Sequence, residues 1–135
     1  MDFYLNTDNQ FERLKKEYEK YGKLIVAVDF DNTIFDYHGE GHTYNYMIEL
    51  LKRLKKLGNY IVISCCREES DYNFIKKYCD EKEIKIDGIN ENASFVPFIT
   101  SKLYYNVLLD DRAGLRETYN LLNRLCSWIE QEGEN

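Results

Sequence analysis

Apolar positions along the chain alternate between two rhythms. Residues 8–21, "DNQFERLKKEYEKY", place Phe11, Leu14, Tyr18 and Tyr21 at helical spacing, and Gly22 follows as a stop. "KLIVAV" comes next, a continuous apolar run of strand length, the pattern of a strand buried on both faces. The pair then repeats. "YNYMIELLKRLKKL" puts Met47, Leu50, Leu51, Leu54 and Leu57 on one helical face, Gly58 stops it, and "YIVIS" reads as a second buried strand. "EESDYNFIKKYCDEK" predicts a helix with Phe74, Ile75, Tyr78 and Cys79 inward, and "IKIDGI" a short third strand. Residues 90–101 hold Pro97 and show no period. "YYNVLLDD" is a fourth strand and "LRETYNLLNRLCSWIE" the last helix, with an acidic end expected to fray.

Strands alternating with helices predict an α/β fold: one Rossmann-like, three-layer domain with a mainly parallel sheet and helices on both faces. No repeat or domain boundary interrupts residues 1–135, and the layered unit runs from about residue 8 to 130.

The strands end in chemistry. The first runs into Asp29 and Asp31, the second into Ser64, the fourth into Asp110 and Asp111. In an open α/β sheet, ligands bind beyond the carboxyl ends of the strands where the strand order reverses. If the first and fourth strands are neighbours there, Asp29, Asp31 and Asp110 converge. Carboxylates brought together repel one another unless a cation lies between them, and an all-oxygen set suits Mg²⁺. Acidic residues at strand ends are also ordinary turn residues, but the recurrence of "DFDNT", "ISCCR" and "LLDDR" at three ends argues for a site.

Composition narrows the partners. The net charge of -6 does not favour a long nucleic acid, although a local basic patch stays open. The start, "MDFYLNTDNQ", has neither a basic nor an apolar leader segment, and no apolar run is long enough for a membrane span. Cys65, Cys66, Cys79 and Cys126 lack zinc-ligand spacing and read as reduced thiols, Cys65 and Cys66 as packing residues at a strand end, so a cytoplasmic location is expected.

In this order the motifs resemble those of the haloacid dehalogenase (HAD) superfamily of phosphohydrolases, over roughly residues 23–125. The first is Asp29-Phe30-Asp31-Asn32-Thr33 after a buried strand, the second Ser64 at the next strand end, the third Lys102, the fourth Asp110-Asp111. The resemblance implies a Mg²⁺-dependent phosphatase. Asp29 would attack phosphorus and become an aspartyl-phosphate. Asp31 would act as acid and then base, with its backbone carbonyl on the metal. Asp110 would complete the metal shell, Asp111 acting beside it or through water. Ser64 would hold a phosphoryl oxygen, Thr33 would orient the loop, and Lys102 would neutralise Asp29 and the phosphoryl charge. Lys102 lies closer to the fourth strand than in many members, and a solvated surface lysine is its alternative. Arg67 either contacts substrate or pairs with Glu68 or Glu69. His38 and His42 fit a mobile flap better than a metal pair.

Neither gap between motifs has room for a cap domain, which implies an open site unless an oligomer partner covers it. Expected substrates are phosphorylated small molecules, such as nucleotides or sugar phosphates, or the phosphate end of a larger molecule. The apolar stretch "NENASFVPFITSKLYYN" lines a pocket, forms a subunit contact, or tucks onto the core. A non-catalytic, Mg²⁺-binding regulatory domain on the same fold is the alternative function.

Overall fold

The computed structural model describes residues 1–133. Four helices, α1 (Thr7–Tyr21), α2 (Asn45–Lys56), α3 (Tyr72–Glu81) and α4 (Leu115–Gly133), accompany four strands, β1 (Ile25–Val28), β2 (Tyr60–Ile63), β3 (Gly88–Ile89) and β4 (Val107–Leu109). Short 3₁₀ turns cover Phe3–Leu5 and Glu69–Asp71. The last helix extends past the expected end to Gly133, and the rest of the acidic end lies outside the described residues.

Local chemistry accounts for the element ends. The Asn6 side chain accepts hydrogen bonds from the Asp8 and Asn9 amides and so caps α1. Gly22, left-handed at φ 76°, donates its N–H to the Tyr18 carbonyl and closes the same helix. All four β1 side chains are buried, and the strand ends at Val28, just before Asp29.

All strand pairs are parallel, in the order β3-β2-β1-β4. β1 is therefore central, with β2 and β4 on either side. The order reverses between β1 and β4, so the carboxyl end of β1 is the switch point. The Asp29 amide extends the ladder by donating to the Leu109 carbonyl at 2.8 Å.

Alternation sorts the strand residues onto two faces. Val26, Val28, Ile61, Ile63, Val107 and Leu109 join one buried cluster with residues from all four helices. Ile25, Ala27 and Val62 face the other way and meet Ala93, Val96, Leu103 and Tyr105. The expected helices on both faces are thus corrected: the second face is covered by the irregular segment 90–106. Topology explains the difference. Right-handed crossovers from β1 to β2 to β3 move steadily one way and keep α2 and α3 on one face. β4 lies beyond β1, so the return from β3 crosses the opposite face, and the segment making that return has no helical period. There is no cap domain among the described residues.

β3 is also shorter than expected. The Asp87 carboxylate accepts from the Ile61 amide at 2.8 Å, where a backbone carbonyl of a longer strand would stand. Lys55 holds the same carboxylate oxygen.

Candidate active site

The strand ends at Val28, and the chain then turns sharply. Asn32 adopts left-handed φ 62°, a conformation asparagine tolerates better than most residues. The Phe30 carbonyl accepts from the amides of Thr33, Ile34 and Phe35, and Asn32 N–H donates to the Phe35 carbonyl at 2.8 Å. The tight loop sends the side chains of Asp29 and Asp31 in different directions.

Asp29 meets the two acids that follow β4. One oxygen each of Asp29, Asp110 and Asp111 lie within 4.8 Å of one another. Thr33, fully buried, ties two of them: its hydroxyl is 3.2 Å from Asp29 Oδ2 and 3.2 Å from Asp111 Oδ1, and it accepts the Asp111 amide at 3.1 Å. A hydroxyl has one proton, so it donates to one carboxylate at a time. Asp110 is set by its own turn, where the Arg112 amide donates to Asp110 Oδ1 at 3.0 Å.

Burial pushes the Asp29 carboxyl up from 3.8 to about 7. A hydrogen bond with Asp111 and the charge of Asp110 add to the rise, while Thr33 and the Phe30 amide oppose it. Burial is the leading cause and the neighbouring carboxylates add to it, so a cation held among the three would favour the ionised form. The donor set fits Mg²⁺: it is all oxygen, and ligand atoms across an octahedral ion at about 2.0–2.1 Å stand roughly 4 Å apart.

Asp31 lies outside that cluster, although the sequence expected it to converge with Asp29 and Asp110. Its carboxylate faces Arg67, which grips it with both prongs of the guanidinium, Nε to Oδ2 at 3.1 Å and Nη2 to Oδ1 at 2.8 Å. Asp111 joins Asp29 and Asp110 instead. Arg67 thus pairs with neither Glu68 nor Glu69.

Ser64 sits half-buried at the carboxyl end of β2, its amide bonded to the Val28 carbonyl at 2.9 Å. Lys102 stands on the exposed segment 90–106 beside Phe98, Thr100 and Leu103. No ion pair joins it to Asp29 or to another acid among the described residues. His38 and His42 lie on the exposed 36–44 loop, where Asp36 Oδ2 accepts from the Gly41 and His42 amides at 2.7 and 3.2 Å. Cys65 packs against the core and Cys66 is exposed. Phe95, Phe98 and Tyr104 remain partly exposed at the rim of a cavity of about 310 Å³ with Tyr21 and Lys23.

A model of the haloacid dehalogenase-like hydrolases matches residues 26–127, which include every acid of the cluster. The chain belongs to that family. This hydrolase also resembles a solved structure, described as a conserved protein coded by a locus from Bacteroides thetaiotaomicron. That likeness has a TM-score of 0.64 at 20% identity, over 76% of this chain and 92% of the other. At that identity it speaks for the fold alone. No curated protein matches the chain. No helix among the described residues is long and apolar enough to cross a membrane.

Several residues around the hydrolase site carried no signal in the motifs. Phe30 occupies the unspecified position between the two aspartates, yet it is fully buried. Phe35 stacks on it at 5.1 Å, Phe74 and Tyr78 meet it edge-on, and Tyr78 hydroxyl donates to the Ile34 carbonyl at 2.6 Å. Phe74, expected inward, is 44% exposed, because its ring packs over this loop rather than into the core. Asn90, at φ 52° after β3, pins the loop beyond Ser64 through the Cys65 amide and carbonyl at 2.8 and 2.9 Å. An asparagine directly after a strand was its only sequence signal.

The raised Asp29 carboxyl makes stability depend on pH. A carboxyl whose folded value lies above its unfolded value keeps its proton longer in the folded state. Its contribution is therefore full below about 3.8 and is lost as pH rises through about 7. A divalent cation competes with that proton. Mg²⁺ is expected to raise the thermal midpoint more at pH 8 than at pH 5, measured by differential scanning fluorimetry with and without EDTA. An equal rise at both values would count against Asp29 as a ligand.

Proposed function

We propose that this hydrolase is a Mg²⁺-dependent phosphatase working through an aspartyl-phosphate. The observation that carries the reading is the cluster of Asp29, Asp110 and Asp111 at the switch point, with the buried Thr33 hydroxyl tying two of its members. Asp29 and Asp110 would hold the ion, together with the Asp31 carbonyl and with Asp111 directly or through water. The ion supplies charge neutralisation for Asp29 and for the phosphoryl oxygens.

Asp29 attacks phosphorus, and the ester P–O bond breaks as Asp31, with one oxygen released from the Arg67 fork and carrying a proton, gives that proton to the leaving oxygen. Asp31 then takes a proton from water, whose oxygen attacks the aspartyl-phosphate and releases phosphate with Asp29 restored. Ser64, whose hydroxyl has no partner among the described residues, would hold a phosphoryl oxygen. Lys102 is the candidate for further neutralising charge, brought in from segment 90–106. The substrate is a phosphomonoester, either a phosphorylated small molecule or a phosphate end of something larger. An uncapped cleft admits both, and the net charge of -6 speaks against a long nucleic-acid partner.

The test is turnover of p-nitrophenyl phosphate, with nucleotides, sugar phosphates and 3′-phosphorylated oligonucleotides alongside it. Activity is expected with Mg²⁺, lost in EDTA, and restored when Mg²⁺ is added back. A folded, Mg²⁺-binding chain that turns over none of them would instead be a binding or regulatory domain on this fold.

A further inference from the structure

Arg67 is held by more than its ion pair. Its guanidinium carbon lies 5.3 Å from the Phe30 ring centroid, 5.6 Å from that of Phe35 and 5.3 Å from that of Phe74. Cations over aromatic faces at this distance are attracted by the ring quadrupole, most strongly where water is partly excluded. The Arg67 and Asp31 side chains are 19% and 27% exposed. Three rings thus surround the guanidinium, and its fork meets both oxygens of the carboxylate. Bidentate pairing fixes orientation as well as distance, which a lysine cannot reproduce.

Two of the rings come from the same loop as Asp31, and Phe74 comes from α3, which follows Arg67 in the chain. The clamp therefore joins the loop after β1 to the segment after β2. Its strength falls on Asp31 rather than on the acidic cluster. Both side-chain hydrogen bonds of Arg67 go to Asp31, and no ion pair joins Arg67 to Asp29, Asp110 or Asp111 among the described residues.

We propose that Arg67 is a positioning residue, clamped by Phe30, Phe35 and Phe74, that fixes the direction of the Asp31 carboxylate and acts on the reaction only through Asp31. This rests on the phosphatase reading and assigns Arg67 a role different from direct contact with substrate. The aromatic clamp becomes part of the catalytic apparatus without touching the reacting atoms.

A double-mutant cycle on p-nitrophenyl phosphate tests it, with Asp31→Asn, Arg67→Gln and the pair combined. Arg67→Gln alone is expected to lower kcat by roughly 10²-fold, the scale of a misplaced catalytic group. In the Asp31→Asn background, adding Arg67→Gln should change kcat by less than about twofold, because groups acting as one unit are not additive. Arg67→Lys should recover little, since it restores the charge without the fork. Phe74→Leu, at a half-exposed ring, should lower kcat in the same direction with the thermal midpoint held.

A readout independent of turnover is the crystal structure of Arg67→Gln, in which Asp31 is expected to leave its present orientation. Losses that multiply in the Asp31→Asn background, an effect confined to KM, full rescue by Lys, or an unmoved Asp31 would each overturn the proposal. If the wild-type chain turns over no ester, the proposal falls together with the phosphatase reading. If wild-type turnover depends on Asp29 but the cycle is additive, it falls alone.

Discussion

Asp29→Asn is expected to lower turnover of p-nitrophenyl phosphate by roughly 10⁴-fold or more, the scale on which loss of a covalent nucleophile acts. The substitution keeps the volume and removes the charge. It also removes the only carboxyl of the cluster that burial drives up to about 7. Two results should therefore appear together. Activity disappears, and the share of stability that Asp29 loses between about pH 4 and pH 7 disappears with it. A midpoint-against-pH curve for the metal-free variant should be flatter than for the parent chain over that range. Residual activity within about tenfold of wild type would remove Asp29 from the nucleophile's role, whatever its effect on stability.

The second large effect is on the fold. Phe30→Ala should cost about 3–5 kcal/mol, the usual range for deleting a buried phenylalanine side chain. Phe30 has no exposed surface, and Phe35, Phe74 and Tyr78 lie around it with ring centroids 5.1, 6.2 and 5.5 Å away. A loss of that size is a large fraction of the stability of a chain of this length. Urea unfolding measures it, with the midpoint falling at constant slope. A loss below about 1 kcal/mol would mean that the ring is not a core element and that the surrounding aromatics close over the gap.

These two residues show where the sequence was legible and where it was not. Asp29 could be read because burial and charge conflict in it, and a conflict at the end of an apolar run is visible in one dimension. The strands and helices were legible for the same reason: Phe11, Leu14 and Gly22, or Met47 through Gly58, carry period and stop together. Phe30 could not be read, because nothing local distinguishes a core phenylalanine from one between two functional residues. The pairing of Asp31 with Arg67 depends on a turn at Asn32 and spans 36 residues of chain, and no spacing rule connects the two. The sequence expected Asp29, Asp31 and Asp110 to converge, whereas the structure gathers Asp29, Asp110 and Asp111 and turns Asp31 to Arg67.

The faces of the sheet were half legible. Buried strands announced that something covers both sides, and right-handed crossover geometry would have assigned each connection to its face had the strand order been known. Order is a property of pairing partners distant in the chain. The side-chain carboxylate of Asp87 in the β2–β3 ladder is a further case, since a strand that borrows an acceptor from a side chain looks, in sequence, like a longer strand.

The outermost strands are β3 with two residues and β4 with three, Gly88–Ile89 and Val107–Leu109. An open sheet normally offers its rim to other chains as a row of unpaired amides and carbonyls. Here the rims are too short to template a foreign strand. The sheet need not close into a barrel or hide under another layer to avoid runaway strand addition. A small hydrolase can thus keep an open sheet while offering little strand edge to other chains.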